Sequence, residues 1–518
     1  STAVSPLLTR GTAVTVWIPT NEDLKHYRHF DHQMPISDVL PLVSNTFTVK
    51  QHKFMPFLHF EKTWRRAPIR QDGKVVQRKP KSRKIRYACR KDAYIFKYYR
   101  EILAERYEAK LQESNLSECV LAYRRIPKSG SAKGHKSNIE FAKEAFEEIE
   151  SLGRCCAVAI DISDFFGSMS HDRIKQVWAE LLKKEKLPDD HYAVFKALTK
   201  FRWVDRDLAY IALGYSEKDS DGKLRYKVNP EEIPMQICSN ADFRKKIVGS
   251  GLVNLHTKTS GIPQGAPLSD LIANAYLLEF DILMLQYATE RGGKYYRYSD
   301  DILFILPGDG RQARAAYLKA HHLIKKMGSE LEIKPEKTDI CCFKEAGAKL
   351  RCYSMTIDDG TLRFVRTTIN EGLSYLGFRF DGRIIYLRNS TISNVTGKIF
   401  RSCKAVALNH VDRHLNKDLP WLLENAPLDE LSTRFFQVED FEDSVSEARA
   451  SGASPYRKMT FFTYAKRAVE AYGDRGQAIA KQTAKLKQQL SKMLNQQIVE
   501  KYQTREGRLL HKRRQIAP

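Results

Sequence analysis

Asp300 and Asp301 stand side by side in "YRYSDDILFIL", between Tyr298 and the apolar run Ile302, Leu303, Phe304, Ile305, Leu306. An Asp–Asp pair is ordinarily a solvated loop. Here aromatic and apolar residues precede it and a β-favouring run follows, so the pattern reads as strand, tight turn, strand. Two like charges beside a core must be neutralised. Carboxylate oxygens suit a hard divalent cation, magnesium first. A third acid is Asp161, which ends the apolar run "AVAID" and leads into "ISDFFGSMSHDRI". Alone, a strand-end Asp is a common turn or cap residue. Between Asp161 and the pair lies "SGIPQGAPLSDLIANAYL", a loop feeding a helix, in which Gly265 lets backbone approach a ligand closely.

These residues need elements to hold them. "CCAVAIDISDFF" reads as a short buried strand. "QDGKVVQRKPKSRKIRYA" reads as a hairpin with Asp72-Gly73 at its turn, inside a densely basic stretch from Lys62 to Arg100. Helical spacing runs from Asp92 to Lys110, with Tyr94, Ile95, Tyr98, Ile102 and Leu103 inward. Ser137 to Ser151 reads as a helix capped by Ser137 or Asn138, with Glu140 close by. Residues 171–200 are helical; 201–258 are mixed, with a loop at "SEKDSDGK". One strong helix is expected from Ser269 through "SDLIANAYLLEFDILMLQYA", and a basic amphipathic one over "RQARAAYLKAHHLIKKMGSELEI". "KPEKTDICCF" enters a strand, "SYLGFRFDGRIIYLR" is a hairpin turning at Asp381-Gly382, and helices follow from Ser390. There is no internal repeat, and residues 1–55 show no readable chemistry.

The 518 residues predict two to four structural units. At 42% hydrophobic and 10% aromatic the chain is a folding one. A net charge of +24 favours a polyanionic partner, nucleic acid before anionic membrane. From Tyr456 onward there are fifteen Lys/Arg against four acids, which suits phosphate contacts, although any single Lys there is as readily a solvated one. No run is long and apolar enough for a membrane span, and the N-terminus has no secretory pattern. The nine Cys form no C-x-x-C, so reduced thiols in a cytoplasmic protein are expected. The histidines, His171 included, read as structural or surface residues.

Taken in order, "DISDFFGSMSHDRI", "GIPQGAPLSDLIANAYL", "YSDD", "KPEKTDI" and "YLGFRF" resemble the palm signature of reverse transcriptases. "KSRKIRYACRKDAYIFKYY" and "LAYRRIPKSG" resemble the fingers blocks, and the likeness covers about residues 75–390. The C-terminal "FFTYAKRAVEAY" and "QAIAKQTAKLKQQL" look like the helical tail of bacterial defence-associated reverse transcriptases of the Abi-like, unknown-group kind, with retron enzymes as relatives. The fold implied is α+β, a right-hand polymerase. It comprises an N-terminal extension (1–55), fingers (56–158), a palm (159–388, with an insertion at 201–258) and an α-helical thumb or C-terminal domain (389–518). Two departures stand out: Ser299 fills the box position where bacterial relatives commonly have Ala, and the span from Asp161 to Gln264 is long.

The resemblance implies roles. Asp161 and Asp300, supported by Asp301 and the Ile162 carbonyl, would hold two Mg2+ ions, with Mn2+ as a substitute, for phosphoryl transfer to a 3′-hydroxyl. Lys337 would act as general acid toward pyrophosphate. Arg83, Lys84 and Arg86 would hold the triphosphate, with Asp164, Phe165, Phe166, Gln264 and Gly265 completing the nucleotide site. Phe166 would exclude a 2′-hydroxyl, which argues against an RNA-dependent RNA polymerase. One of Phe165 and Phe166 must be core. Tyr375, Leu376 and Gly377 resemble a primer grip. The expected activity is RNA-directed DNA synthesis in phage defence. Its partners would be dNTPs, nascent DNA and a template RNA, a non-coding one, with a homo-oligomer or accessory protein left open. Template-independent or protein-primed DNA synthesis is the alternative, and a non-catalytic nucleic-acid-binding protein the other class.

Overall fold

The computed structural model describes residues 17–64, 69–71, 74–77, 80–128, 134–347, 349–358, 363–367, 372–436 and 460–516. The chain divides into two compact units: Ser1–Arg124, Ile160–Phe304 and Ala315–Thr338 form one, and Arg125–Ala159, Ile305–Arg314 and Asp339–Pro518 the other.

In the first unit, strands β1 (Phe57–Trp64), β4 (Lys81–Tyr87), β6 (Arg202–Asp205) and β9 (Asn254–Leu255) form a sheet in the order β4-β1-β6-β9. β1 pairs antiparallel with β4, placing Lys62 opposite Arg83, and parallel with β6, placing Leu58 opposite Val204. β1 was not expected as a strand, because "KTWRR" reads first as charge. The 201–258 segment is built into this unit: β6 and β9 extend the sheet of β1 and β4, and Val204, Ala209, Ile237 and Ile247 share one core with Phe30 and Leu58. A parallel partner far along the chain leaves no turn signal beside it. The β2–β3 hairpin (Ile69–Gln71, Lys74–Val76) pairs as expected, with Gln71 opposite Lys74; its Asp72-Gly73 turn lies outside the described residues.

The helix after β4 runs Arg90–Glu113 and buries Tyr94, Ile95, Tyr99 and Leu103, so Tyr99 rather than Tyr98 takes the inner face. Residues 171–200 hold two helices, His171–Leu181 and Asp189–Thr199. The single helix expected from Ser269 is two, Ser269–Tyr276 and Leu278–Thr289. The break is set by a partner 23 residues on. The Asn274 carbonyl accepts from the buried Arg297 guanidinium at 3.1 Å, and the Leu277 amide turns to the i−3 carbonyl. The Asp300–Asp301 hairpin follows: β10 (Lys294–Tyr298) and the start of β11 (Asp301–Pro307) lie beside the end of β5 (Cys155–Ser163) in the order β10-β11-β5. β12 (Glu332–Ile333) pairs with the other side of that strand end, Ile333 opposite Ile162.

In the second unit, the start of β5 continues into β13 (Asp339–Ala346), β14 (Lys349–Ile357) and β15 (Phe364–Arg366). Cys156 stands opposite Cys342, and all nine cysteines are free thiols. Helix Asn138–Leu152 begins with Ser137 as cap and Glu140 reaching back, the capping box that the sequence suggests. "SYLGFRFDGRIIYLR" is a three-stranded meander, β16 (Leu373–Tyr375), β17 (Phe378–Phe380) and β18 (Ile385–Leu387). The expected turn at Asp381-Gly382 is present. A second one at Leu376-Gly377, with both φ positive (46° and 94°), adds the extra strand. Phe380 stacks on Phe146 and Phe343. Helices Asn389–Arg413, Leu419–Glu424, Leu428–Phe436, Phe461–Tyr472 and Gln477–Ile516 then close a core of Ile399, Cys403, Leu422, Leu490, Leu494 and Ile498. The architecture is α+β, mainly antiparallel strands with helices among them and a helical C-terminal region. Among the described residues no helix is long and apolar enough to cross a membrane.

Candidate active site

The turn between β10 and β11 is Ser299-Asp300, with Ser299 in the left-handed region at φ 61° and Asp301 opening β11. The Ile162 amide donates to the Asp300 carbonyl at 3.2 Å, which joins the end of β5 to the turn. Asp161 is thereby set near Asp300. Burial pushes the Asp300 carboxyl above the usual carboxylate range; its own amide opposes that, the Asp161 charge adds to it, and the Ser299 hydroxyl and the Arg83 cation oppose it. Lys337 Nζ donates to Asp161 Oδ1 at 2.6 Å. The register of β12 on β5 delivers it, through a one-turn helix, Pro335–Lys337, that starts with the proline.

The Gln264-Gly265 loop is stitched to two elements. The Arg86 amide donates to the Gln264 carbonyl at 3.0 Å, and the Ile262 amide to the Phe166 carbonyl at 2.9 Å. Gly265 (φ 122°) is required because a Cβ there would lie 2.8 Å from the Arg86 carbonyl oxygen. The close approach it makes is thus to strand β4, whereas the sequence suggested a ligand. Arg83 is exposed, 5.8 Å over the Trp64 ring, and its charge reaches Asp300; Lys84 is exposed on the other face of β4. Arg86 is half-buried, with its guanidinium over Phe201 and Trp203 at 5.1 and 5.4 Å and its Nε buried. It is a packing cation, not a free triphosphate ligand.

Two nucleotide-site expectations need correcting. Phe165 is 2% exposed and packs on Tyr276, so it is the core member of the pair, and Phe166 is half-buried. Asp164 is an exposed left-handed residue (φ 45°) whose carboxylate folds over Gly167 in the turn it caps. In the second unit Tyr375 is buried in β16, and Leu376 and Gly377 form the tight turn. His171 is structural, as expected: its Nε2 meets the Gly261 carbonyl at 2.8 Å.

Sequence reasoning missed the support beneath the turn. Arg297 is fully buried and makes two 2.6 Å bonds to Asp281, which also accepts from the Tyr295 hydroxyl. Arg297 Nη1 further donates to Asn274 Oδ1 and to the Ser299 carbonyl. The available signal was a lone Arg inside "YYRYSDD", where alternation places it on an inner face.

Among the described residues, no group of three or more His, Cys, Asp or Glu side chains is placed to hold a metal ion. Adjacent residues at a strand start point to opposite faces. Two carboxylates near one another, one strained by the other's charge, do fit Mg2+, which is usually held by one or two carboxylates with substrate phosphates completing its shell.

Residues 219–380 match the family described as reverse transcriptase (RNA-dependent DNA polymerase). That span holds Gln264, Gly265, Asp300, Asp301, Lys337 and the Tyr375–Gly377 turn, and it begins after Asp161, Phe166 and β4. The matched segment is similar to that family, whose description names RNA-dependent DNA polymerase activity. Among solved structures, a match is the apo telomerase of Candida tropicalis truncated from its C-terminal domain, at 13% identity and a TM-score of 0.34, covering 66% of this chain. This chain spans 63% of that telomerase chain. No curated protein matches it.

Proposed function

We propose that the chain is an RNA-directed DNA polymerase of the two-metal type. The observation that carries this is the meeting of Asp161 with Asp300 at the β5 end and the β10–β11 turn, with Arg83 and Lys337 as flanking cations. Asp161 and Asp300 would hold Mg2+, and Asp301 would lend charge. When bound, the ions supply neutralisation of phosphate charge and activation of a primer 3′-hydroxyl. Arg83 attracts the triphosphate. Phe166, whose carbonyl accepts from the Ile262 amide of the Gln264 loop, would refuse a 2′-hydroxyl. Lys337 Nζ holds a proton against Asp161 Oδ1, ready for leaving pyrophosphate. Tyr375, Leu376 and Gly377 would steer the primer.

Purified protein is incubated with Mg2+ and labelled dNTPs or NTPs, with and without a primed RNA, beside Asp300→Ala/Asp301→Ala. Template-dependent DNA from dNTPs, absent in the variant, supports the reading. DNA of random sequence that ignores added RNA would replace it with template-independent synthesis, and nucleic-acid binding without any product would leave a binding protein. For the biological setting we read bacterial antiviral defence, supported by the likeness of the C-terminal helices to defence-associated relatives. Phage plating on cells carrying wild type or the double variant tests it; equal plating removes it.

A further inference from the structure

Tyr123 is an unusual residue. It holds a left-handed backbone (φ 62°) although it is not glycine, and its ring is 45% exposed. Its hydroxyl lies 3.1 Å from Ser299 Oγ. Ser299 is itself left-handed at φ 61°, and only 5% exposed. Single strained residues persist only where the surroundings over-determine them. Both of these hang from one buried hub. Asn274 Nδ2 donates to the Ala122 carbonyl at 2.8 Å, while Asn274 Oδ1 accepts from Arg297, whose Nη1 also donates to the Ser299 carbonyl. The strand edge is strapped as well, since the Leu121 amide donates to the Arg297 carbonyl and the Arg297 amide to the Cys119 carbonyl. Residues 119–123 are therefore a strap along β10 that ends at the catalytic turn.

Ser299 immediately precedes Asp300 in the turn, and its hydroxyl favours the ionised Asp300 carboxylate. The Tyr123 hydroxyl and Ser299 Oγ share one hydrogen bond, in which either can donate. When the Ser299 proton faces the carboxylate, the Tyr123 hydroxyl is the donor. A bond that polarises a donor strengthens the next one in line. An Ala at position 299 would have no hydroxyl to pass this on.

We infer that Tyr123 is a positioning residue of the active site, acting through the Ser299 hydroxyl to hold the Asp300 carboxylate in the orientation that receives the divalent ion. The inference rests on the polymerase reading for its purpose, though its geometry stands without it. Outer-shell partners of a metal ligand are typically worth about 10–100-fold in metal affinity.

The test is a double-mutant cycle on Mn2+ binding, read by electron paramagnetic resonance of free Mn2+ in full-length protein without nucleotide. Tyr123→Phe keeps the ring and removes only the donor; Ser299→Ala removes the relay; Asp300→Ala identifies the site. The expected result is that each of the first two weakens Mn2+ binding at the Asp300 site about tenfold. The double variant would be no weaker than either single one, and melting temperatures would stay at the wild-type value. Wild-type Mn2+ affinity in Tyr123→Phe, or multiplying losses in the double variant, overturns it. A cycle that behaves as expected in a chain that incorporates no nucleotide upholds the pair and sinks the polymerase reading. A wild type that binds no Mn2+ sinks both.

Discussion

At the scale of single residues, the clearest division of labour lies in the two phenylalanines after Asp161. They are neighbours in sequence, and their rings meet edge to face at 5.9 Å, yet one is core and the other only half-buried. Phe165→Ala should cost about 3–5 kcal/mol of stability, as large-to-small core changes do, while the ratio of dNTP to NTP use by the remaining folded protein stays as it was. Phe166→Ala should leave stability nearly unchanged and lower that ratio about tenfold or more. Urea unfolding and competitive incorporation separate the two. A fall in the ratio with Phe165→Ala alone would reverse the assignment.

At the scale of elements, what was legible in the sequence was whatever had a local period or cap. The β10–β11 turn, the β5 strand, the Ser137 capping box and the helix after β4 all announce themselves within a dozen residues. What was not legible depended on distant partners. β1 is a strand because β4 and β6 flank it, and its own text, "FLHFEKTW", mixes apolar and aromatic residues with polar and charged ones. The helix from Ser269 breaks because Arg297 takes the Asn274 carbonyl. Asp161 and Asp300 stand out by residue type and setting, and Lys337 and Phe166 through the resemblance, but not the Tyr123 strap or the Arg297 hub, whose members are far apart in the chain. The N-terminal segment is the strongest case. His29 bridges to Gln236 and is fully buried; its Nδ1 accepts from the Phe30 amide, so Nε2 carries the proton, toward the Tyr87 carbonyl. Burial pushes its ring from 6.5 down to about 4, against the Asp31 carboxylate, which favours the charged form. The unfolded chain thus binds a proton that the folded one refuses. Stability from this group is complete above about pH 6.5 and is lost as pH falls toward 4, by up to about 3 kcal/mol. Urea unfolding at stepped pH should show a shallower loss for His29→Gln than for wild type. Parallel curves would place the proton elsewhere.

At the scale of the whole chain, the question is what the charge of +24 does. Many cations are already committed within the fold, as Arg297 and Lys337 are, and those add nothing for a polyanion. The long helix Gln477–Ile516 is different: it carries ten Lys/Arg against two Glu. Leu486, Leu490 and Leu494 form its buried stripe. Lys481, Lys485 and Lys492 are exposed, and at 100° per residue they fall within about 40° of one another on the side away from that stripe. Three aligned cations are either a solvated face or a phosphate track, and salt dependence distinguishes the two. Each phosphate neutralised on a single strand contributes about 0.7 to the slope of log affinity against log salt. If all three lysines touch phosphates, Lys481→Gln/Lys485→Gln/Lys492→Gln should flatten that slope by about 2, measured by fluorescence anisotropy with a labelled single-stranded RNA between about 50 and 200 mM salt. The loss should be the same for RNAs of different sequence, because phosphate contacts carry no base information. An unchanged slope would make the face a solvated one and direct the search for the nucleic-acid track to the exposed cations of β4, where Arg83 and Lys84 lie.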